Sequence, residues 1–275
     1  MNNGIVYLTY NSEPDIKANF NTVVSSVVYP TTITVVDNAS TDGSVRLLGN
    51  ADYVVHANDE NSGFTAGINQ GINTLLDKGV SDWIFIINPD VQCPDKWDSL
   101  LLDSLHNNER CGIVGAKLLS PFGDVLHSGG RVAPKPILLL WPRVYSVTED
   151  VSVLSNDGLC ATRFVHDTID HNAPHKCHWV TFAVAALRVD MISEIGLLNE
   201  KYYLYNSDSD YCMRALAAGW DTWCNTTTFT HSRSASLQRA PRNTQDRGRD
   251  DAIRFTSEEE PKWLRLLNDI QQKKT

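Results

Sequence analysis

The chain is short of positive charge: 24 lysines and arginines stand against 33 aspartates and glutamates, a formal net charge of −9 over 275 residues. That balance argues against a surface that grips nucleic acid everywhere and leaves room only for a local basic patch. Long apolar runs are also missing. A membrane helix needs about 20 apolar residues, and the longest candidate, Ile137 to Trp141, is closed by Pro136 and Pro142. Met1-Asn2-Asn3-Gly4 carries no basic region, and the apolar run behind it ends at Tyr10, so it reads as a first strand and not a secretory leader. A cytoplasmic, at most peripheral, protein is expected. Paired cysteine spacing is absent too: Cys93, Cys111, Cys160, Cys177, Cys212 and Cys224 lie scattered without a CxxC and read as free thiols. Internal repeats and low-complexity tracts are lacking. So is a glycine-rich triphosphate loop after the first strand, which removes support from a nucleotidyltransferase reading.

What is present, with 42% hydrophobic and 21% charged residues, is enough to bury a large core in one large domain or two intimate ones. The organising stretch is Trp83-Ile84-Phe85-Ile86-Ile87-Asn88-Pro89-Asp90. Its apolar, β-branched and aromatic run predicts a strand buried on both faces. Asn88 and Pro89 end it, because proline has no ladder donor and restricts the residue before it. Asp90 therefore sits just past the C-terminal end of the strand, on the rim where open α/β sheets bind ligands. Taken alone, Asn-Pro-Asp is equally a turn.

The same rhythm runs through the first half. Strands are predicted at Ile5 to Thr9, Thr32 to Val36 and Tyr53 to His56, each followed by a polar loop and a helix. The helices run from Ser12-Glu13-Pro14-Asp15 to about Val28, then through Leu48, then with Ile68, Ile72, Leu75 and Leu76 on one face. Such alternation predicts a parallel sheet with helices on both sides and four loops on one rim. Trp97 to His106 should be a helix and Gly112 to Leu118 a strand. Prolines 121, 134, 136 and 142 then break the rhythm, and the stretch to Lys176 reads as irregular and polar. Its His166, His171, His175 and His178 lack tight ligand spacing, which favours a solvated loop over structural zinc. A strand from His178 to Leu187 and a helix from Val189 to Ile195 follow. An aromatic segment then delivers Asp208 and Asp210 to a helix closed by Gly219, and Trp220 to Cys224 forms a last short strand. Residues 232–256 hold six arginines against three aspartates, a local net +3, and read as a mobile basic segment. It is either a solvated linker or a lid or docking arm for an anionic partner, with Arg233, Arg239 and Arg242 as its candidate contacts. Ser257-Glu258-Glu259-Glu260 reads as a capping box for a terminal helix bearing Trp263, Leu264, Leu267 and Ile270.

Five motifs, in this order, closely resemble the family 2 glycosyltransferases, nearest the rhamnosyltransferase-like branch. They are Thr9-Tyr10-Asn11, Val35 to Ser44, Asn61 to Asn69, Asn88-Pro89-Asp90 and Ser207-Asp208-Ser209-Asp210. The resemblance covers residues 4–231. It implies an α/β, GT-A fold, with a Rossmann-like nucleotide-binding half (1–119), a smaller acceptor half (120–231), and the basic segment and C-terminal helix (232–275) appended. It also implies inverting transfer of a sugar from a nucleoside diphosphate donor, dTDP-rhamnose or a UDP-sugar, to an acceptor hydroxyl. A glycan or other polymer is the implied acceptor, with a hydroxylated nucleic-acid base left open. The alternative is a catalytically inactive protein that binds nucleotide-sugar.

By the same resemblance Thr9, Asn11, Glu13 and Asp37 hold the nucleoside, and Asn38, Asn61, Gly63, Phe64, Gly67, Asn69, Asn88, Thr181 and Phe182 complete the donor site. Asp37 can accept two ribose hydroxyls or the base imide, or it can cap a turn with Ser40 and Asp42. The family's usual Asp-x-Asp is here Asn88-Pro89-Asp90, so one carboxylate remains. With His231 it would hold Mg²⁺ or Mn²⁺ bridging the phosphates. Asp208 aligns with the family's base, and a helix N-cap is its other reading. Ser207 replaces the usual Glu before it. Phe182 replaces a glycine, which implies a smaller donor-sugar pocket.

Overall fold

The structure, a computed structural model, describes residues 1–48, 53–103, 105–140, 143–145, 159–232 and 242–272. β1 (Asn3–Thr9), β2 (Thr31–Asp37), β3 (Val54–Ala57) and β4 (Trp83–Ile87) pair in parallel in the order β3-β2-β1-β4. Their connections are α1 (Glu13–Val24), α2 (Ser44–Leu48) and α3 (Gly63–Asp77). The alternation of side chains along β1 and β4 explains why both faces are covered. Val6, Leu8, Ile84 and Ile86 face α3 through Ile68, Ile72 and Leu75. Ile5, Tyr7, Trp83, Phe85 and Ile87 face Ile16, Phe20 and Val23 of α1 and, through Trp97 and Leu101, α4 (Trp97–Leu102). α1 and α4 end earlier than the apolar pattern predicts, at Val24 and Leu102.

Beyond β4 the sheet is mixed, not parallel. β5 (Val91–Gln92) is a short arm, and β6 (Cys111–Leu119) carries β7 (Val125–His127) antiparallel on its end. β12 (Val184–Arg188) inserts antiparallel between β4 and β6, and β13 (Asp221–His231) runs parallel to β6 with β11 (His175–Cys177) outside it. The strand expected from His178 begins only at Val184. Residues before it turn instead, bridged at Trp179 to Gly130. The last strand is longer than expected, because its second half, beyond an irregularity at Cys224/Thr228, pairs with the far end of β6.

The stretch expected to be irregular contains a second sheet. β8 (Gly130–Leu140) pairs antiparallel with β9 (Arg143–Tyr145) and β10 (Leu159–His166). Pro134 and Pro136 fall where the β8–β10 register jumps from Val132↔Phe164 to Ile137↔Thr162, so their missing donors break no ladder bond. α5 (Val189–Ile195) and α6 (Ser207–Ala217) lead into β13. The basic segment is a helix over its described part, α7 (Arg242–Arg254), which continues through a π turn at Phe255–Glu259 into α8 (Glu260–Gln272). The expected capping box is therefore mid-helix: Ser257 Oγ donates back to Ile253 O at 2.8 Å, and Phe255 is fully buried. Arg233 and Arg239 lie outside the described residues, and Arg242 is exposed at the start of α7. Cys93, Cys111, Cys177, Cys212 and Cys224 are free thiols. Among the described residues no helix is long and apolar enough to cross a membrane.

Candidate active site

The C-terminal ends of β1, β2 and β4 open into a cleft of about 130 Å³. Leu8, Thr9, Tyr10 and Ser12 form one wall, Asn38, Asn61, Gly63 and Phe64 a second, and Asn88 and Pro89 a third. Tyr203 and Leu204, with Thr244 of α7, close it. The cleft is stapled by its own polar groups. Asn38 Nδ2 donates to Gly63 O at 2.8 Å, its Oδ1 accepts from Ser62 Oγ and Asn58 Nδ2, each at 3.1 Å, and its N–H donates to Thr9 O at 2.9 Å. Gly63 turns the chain at φ 91°, and a Cβ there would lie 2.4 Å from Tyr203 O, so only glycine fits. The Phe64 N–H then bonds Tyr203 O at 2.7 Å, and the Tyr203 hydroxyl donates to Asn61 O at 3.2 Å. Thr9 Oγ1 is buried without a hydrogen bond among the described residues, leaving a donor and acceptor beside the cleft.

Other residues expected at the donor serve the framework. Asp37 is 1% exposed, and its carboxylate accepts from the Ser40 N–H at 2.8 Å and Ser40 Oγ at 2.6 Å. Burial outweighs those two bonds and raises its pKa. Asn11 clamps the same loop, its Oδ1 accepting from the Thr41 N–H at 2.8 Å. Glu13 accepts from Lys17 Nζ at 2.7 Å and the Gly43 N–H at 3.0 Å, the lysine bond first among the causes that lower its pKa. Three of the residues expected at the donor pack into the framework. Gly67 lies within α3, where a Cβ would meet Leu8 Cδ1 at 2.5 Å, so it serves helix-to-strand packing. Asn69 is buried against Leu198, accepting from its N–H at 3.0 Å and donating to its carbonyl at 2.9 Å. The Phe182 ring packs in the core at 6.1 Å from Tyr211 and does not line the cleft.

Two charged centres lie outside the residues that line the cleft. The first forms because β5 pairs with the end of β13, His231 opposite Val91, with the Ser232 N–H on Asp90 O at 2.9 Å. That pairing brings His231 Nε2 to 3.2 Å from the Asp90 carboxylate, which is 4% exposed. The second is Asp208, half-buried in the first turn of α6. It is not the N-cap. Asn206, at φ 64°, holds that position, and Asp208 Oδ1 accepts from the Ser209 N–H at 2.7 Å. Burial raises its pKa to about 6, held from going higher by hydrogen bonds from the N–H groups of Ser209, Phe182 and its own residue. Thr181 and Phe182 thus enter the site through their backbone. Asp210 is also raised to about 6 by burial and keeps one oxygen, Oδ2, without a hydrogen bond among the described residues.

A model of the family described as glycosyl transferase family 2 matches residues 5–195. The chain belongs to that family. It is 23% identical over 265 residues to an N-acetylglucosaminyl-diphospho-decaprenol L-rhamnosyltransferase of Mycobacterium tuberculosis (strain ATCC 25618 / H37Rv), covering 86% of this chain and 78% of that protein. The low-salt glycan biosynthesis hexosyltransferase Agl10 of Haloferax volcanii is 25% identical over 211 residues, 77% of this chain and 60% of that one. In fold, the crystal structure of GalNAc-T7 with UDP, GalNAc and Mn²⁺ matches with a TM-score of 0.59 at 11% identity, over 84% of this chain and 44% of that one. This is a GT-A glycosyltransferase. The family match ends before Asp208 and His231.

In this family 2 enzyme, two parts of the site were missed in the sequence. Tyr203, Leu204 and Thr244 enter the cleft because Asp251 of α7 grips the backbone of the aromatic segment. Its oxygens accept from the N–H groups of Tyr203 at 2.9 Å, Leu204 at 2.6 Å and Tyr205 at 3.1 Å. Arg247 lies over the Tyr203 ring at 3.6 Å from its centroid. His127, bonded to the Thr181 N–H, is the other omission. Its signal was available in His127-Ser128-Gly129-Gly130, a histidine followed one residue later by two consecutive glycines. The four histidines expected to be a solvated loop are tied in place: His166 to His127 at 2.8 Å, His171 to Asp167 at 3.2 Å, His175 to Ser128 O at 3.1 Å and His178 to the Val132 N–H at 3.2 Å. No group of three or more metal-ligating side chains occurs among the described residues.

Proposed function

We propose that this glycosyltransferase inverts the anomeric carbon of a nucleoside diphosphate sugar, with Asp208 as the base that deprotonates an acceptor hydroxyl. The observation that carries this is a half-buried carboxylate, raised to about 6 and aimed by backbone donors while capping nothing. A base of that pKa is ionised at neutral pH yet basic enough to take a proton as the acceptor oxygen attacks. The donor would lie in the cleft, its nucleoside against Thr9, Tyr10, Asn38 and Phe64.

Asp90 and His231 offer one hard carboxylate oxygen and one imidazole nitrogen on the same rim, a donor pair suited to Mg²⁺ or Mn²⁺ when the ligand's phosphates complete the shell. A divalent ion held there would neutralise the charge that develops on the departing diphosphate. The names of the two sequence relatives support dTDP-rhamnose or a UDP-sugar as donor, and a hydroxyl of a glycan, including a lipid-linked one, as acceptor. A nucleic-acid acceptor gains no support from α7, where Arg247 lies over Tyr203 and Arg254 donates to Lys201 O. The test is a panel of UDP-glucose, UDP-N-acetylglucosamine and dTDP-rhamnose with Mn²⁺, reading nucleoside diphosphate release from the wild type and Asp208→Asn. Asparagine should lower turnover by about 10²-fold or more. Equal release from both proteins would remove Asp208 as the base.

A further inference from the structure

A buried histidine pair stands behind the 181–182 backbone. His127, at the end of β7, is 1% exposed, and both its ring nitrogens are engaged. Nε2 lies 3.3 Å from the Thr181 N, and Nδ1 lies 2.8 Å from Nδ1 of His166. A backbone N–H can only donate, so Nε2 accepts and the ring proton resides on Nδ1, donated to His166. Burial, reinforced by repulsion from His166, His231 and His175, lowers the His127 pKa well below its ordinary value and keeps the ring neutral. Trp179 packs against both rings, with centroids 5.3 Å from His127 and 4.8 Å from His166. The chain can pass between because Gly129 turns at φ 88° and Gly130 lies flush on the indole, where a Cβ would come within 2.2 Å.

The peptide that His127 holds is the one preceding a contact to the base. The Thr181 N–H is fixed by the imidazole, and one residue on, the Phe182 backbone lies close enough to the Asp208 carboxylate to favour its charged form, while the Phe182 ring packs 6.1 Å from Tyr211 on the same helix. We infer that His127 is a positioning residue for sugar transfer: its Nε2 anchors the Thr181–Phe182 backbone, whose next N–H aims the Asp208 carboxylate. The inference rests on Asp208 being the base. Removing the acceptor on Thr181 lets this turn shift, and displacements of about 1 Å behind a catalytic group cost up to about 10²-fold in turnover.

The experiment compares His127→Met and His127→Gln, side chains of similar size of which only glutamine offers an acceptor to Thr181, with wild type and Asp208→Asn. Donor hydrolysis is followed with the fastest donor of the panel above and Mn²⁺, water standing in for the acceptor. Methionine should lower kcat by about 10- to 100-fold with donor KM within twofold, and glutamine should restore most of it. An independent readout that needs no turnover is the Asp208 carboxyl titration, followed by ¹³C NMR and assigned with Asp208→Asn. The Cys212 thiol, which faces Asp208 on α6, is pushed up by burial and stays neutral through that range. With methionine the Asp208 midpoint should rise above its wild-type value, since a bond to the charged form is weakened, and with glutamine it should not. Wild-type kcat and an unmoved midpoint in the methionine variant would overturn the inference, as would equal losses with methionine and glutamine. Full activity in Asp208→Asn would instead overturn the base, whatever the His127 variants do. Should the methionine variant fail to fold, the glutamine variant decides: a wild-type midpoint supports the anchor and a raised one refutes it.

Discussion

Asp208→Asn should make the protein less active and, at neutral pH, more stable. Burial lifts the Asp208 pKa from an ordinary 3.8 to about 6. A carboxyl whose folded pKa lies above its unfolded value favours folding in its protonated form, so wild-type stability falls as pH rises through that interval and levels off above it. Each pH unit between the two values is worth ~1.36 kcal/mol, so the ionised carboxylate costs the fold at most about 3 kcal/mol. Solvent at a half-buried group screens this to about 1–2 kcal/mol. Asparagine carries no charge at any pH. It matches the neutral carboxyl below pH about 4, and its advantage should grow between pH 4 and 6 and stay constant to pH 8. Urea unfolding of both proteins at pH 4, 6 and 8, beside nucleoside diphosphate release at pH 8, measures the two effects. An asparagine protein equally destabilised at all three pH values would show that the carboxylate is structural, and the catalytic reading would lose its physical basis.

Gly63→Ala should weaken UDP binding at least tenfold and destabilise the chain by about 2–4 kcal/mol, because left-handed strain adds to the 2.4 Å clash with Tyr203 O; calorimetry and denaturant unfolding read the two losses. Asp37→Ala should release the Ser40 loop, cost about 1–2 kcal/mol and lower affinity for UDP and dTDP; unchanged affinity for both would remove Asp37 from the nucleoside site. Asp251→Ala strips three partly buried N–H groups of their acceptor, and should cost about 2–4 kcal/mol while weakening donor binding through Tyr203. Asp251→Asn, which keeps one carbonyl acceptor, should lose less, as measured by unfolding.

Much of this molecule was legible in local sequence. The alternation in Ile5 to Leu8 and the run Trp83 to Ile87 carry two-faced burial within a few residues, since side-chain direction in a strand depends only on parity. The polar stops after them, Thr9-Tyr10-Asn11, Asp37-Asn38 and Asn88-Pro89-Asp90, mark the rim for the same local reason, and the family resemblance followed from their order. What was missed involves partners far apart in the chain. β8 and β10 form a sheet only because each meets the other across a register jump that accommodates two prolines. α7 looks like a solvated charged run until Asp251 meets three N–H groups from residues 203–205. The packing role of Gly67 was not visible because α3 presses on Leu8 at a distance that periodicity does not encode. Asp208 shows the division within one residue. Sequence placed an aspartate at a helix start, where capping and proton transfer use the same chemistry. Asn206 holds the cap position, and tertiary burial raised the Asp208 pKa to about 6 against the opposing pull of backbone donors, because desolvation depends on everything packed around a charge and on nothing in the residues beside it.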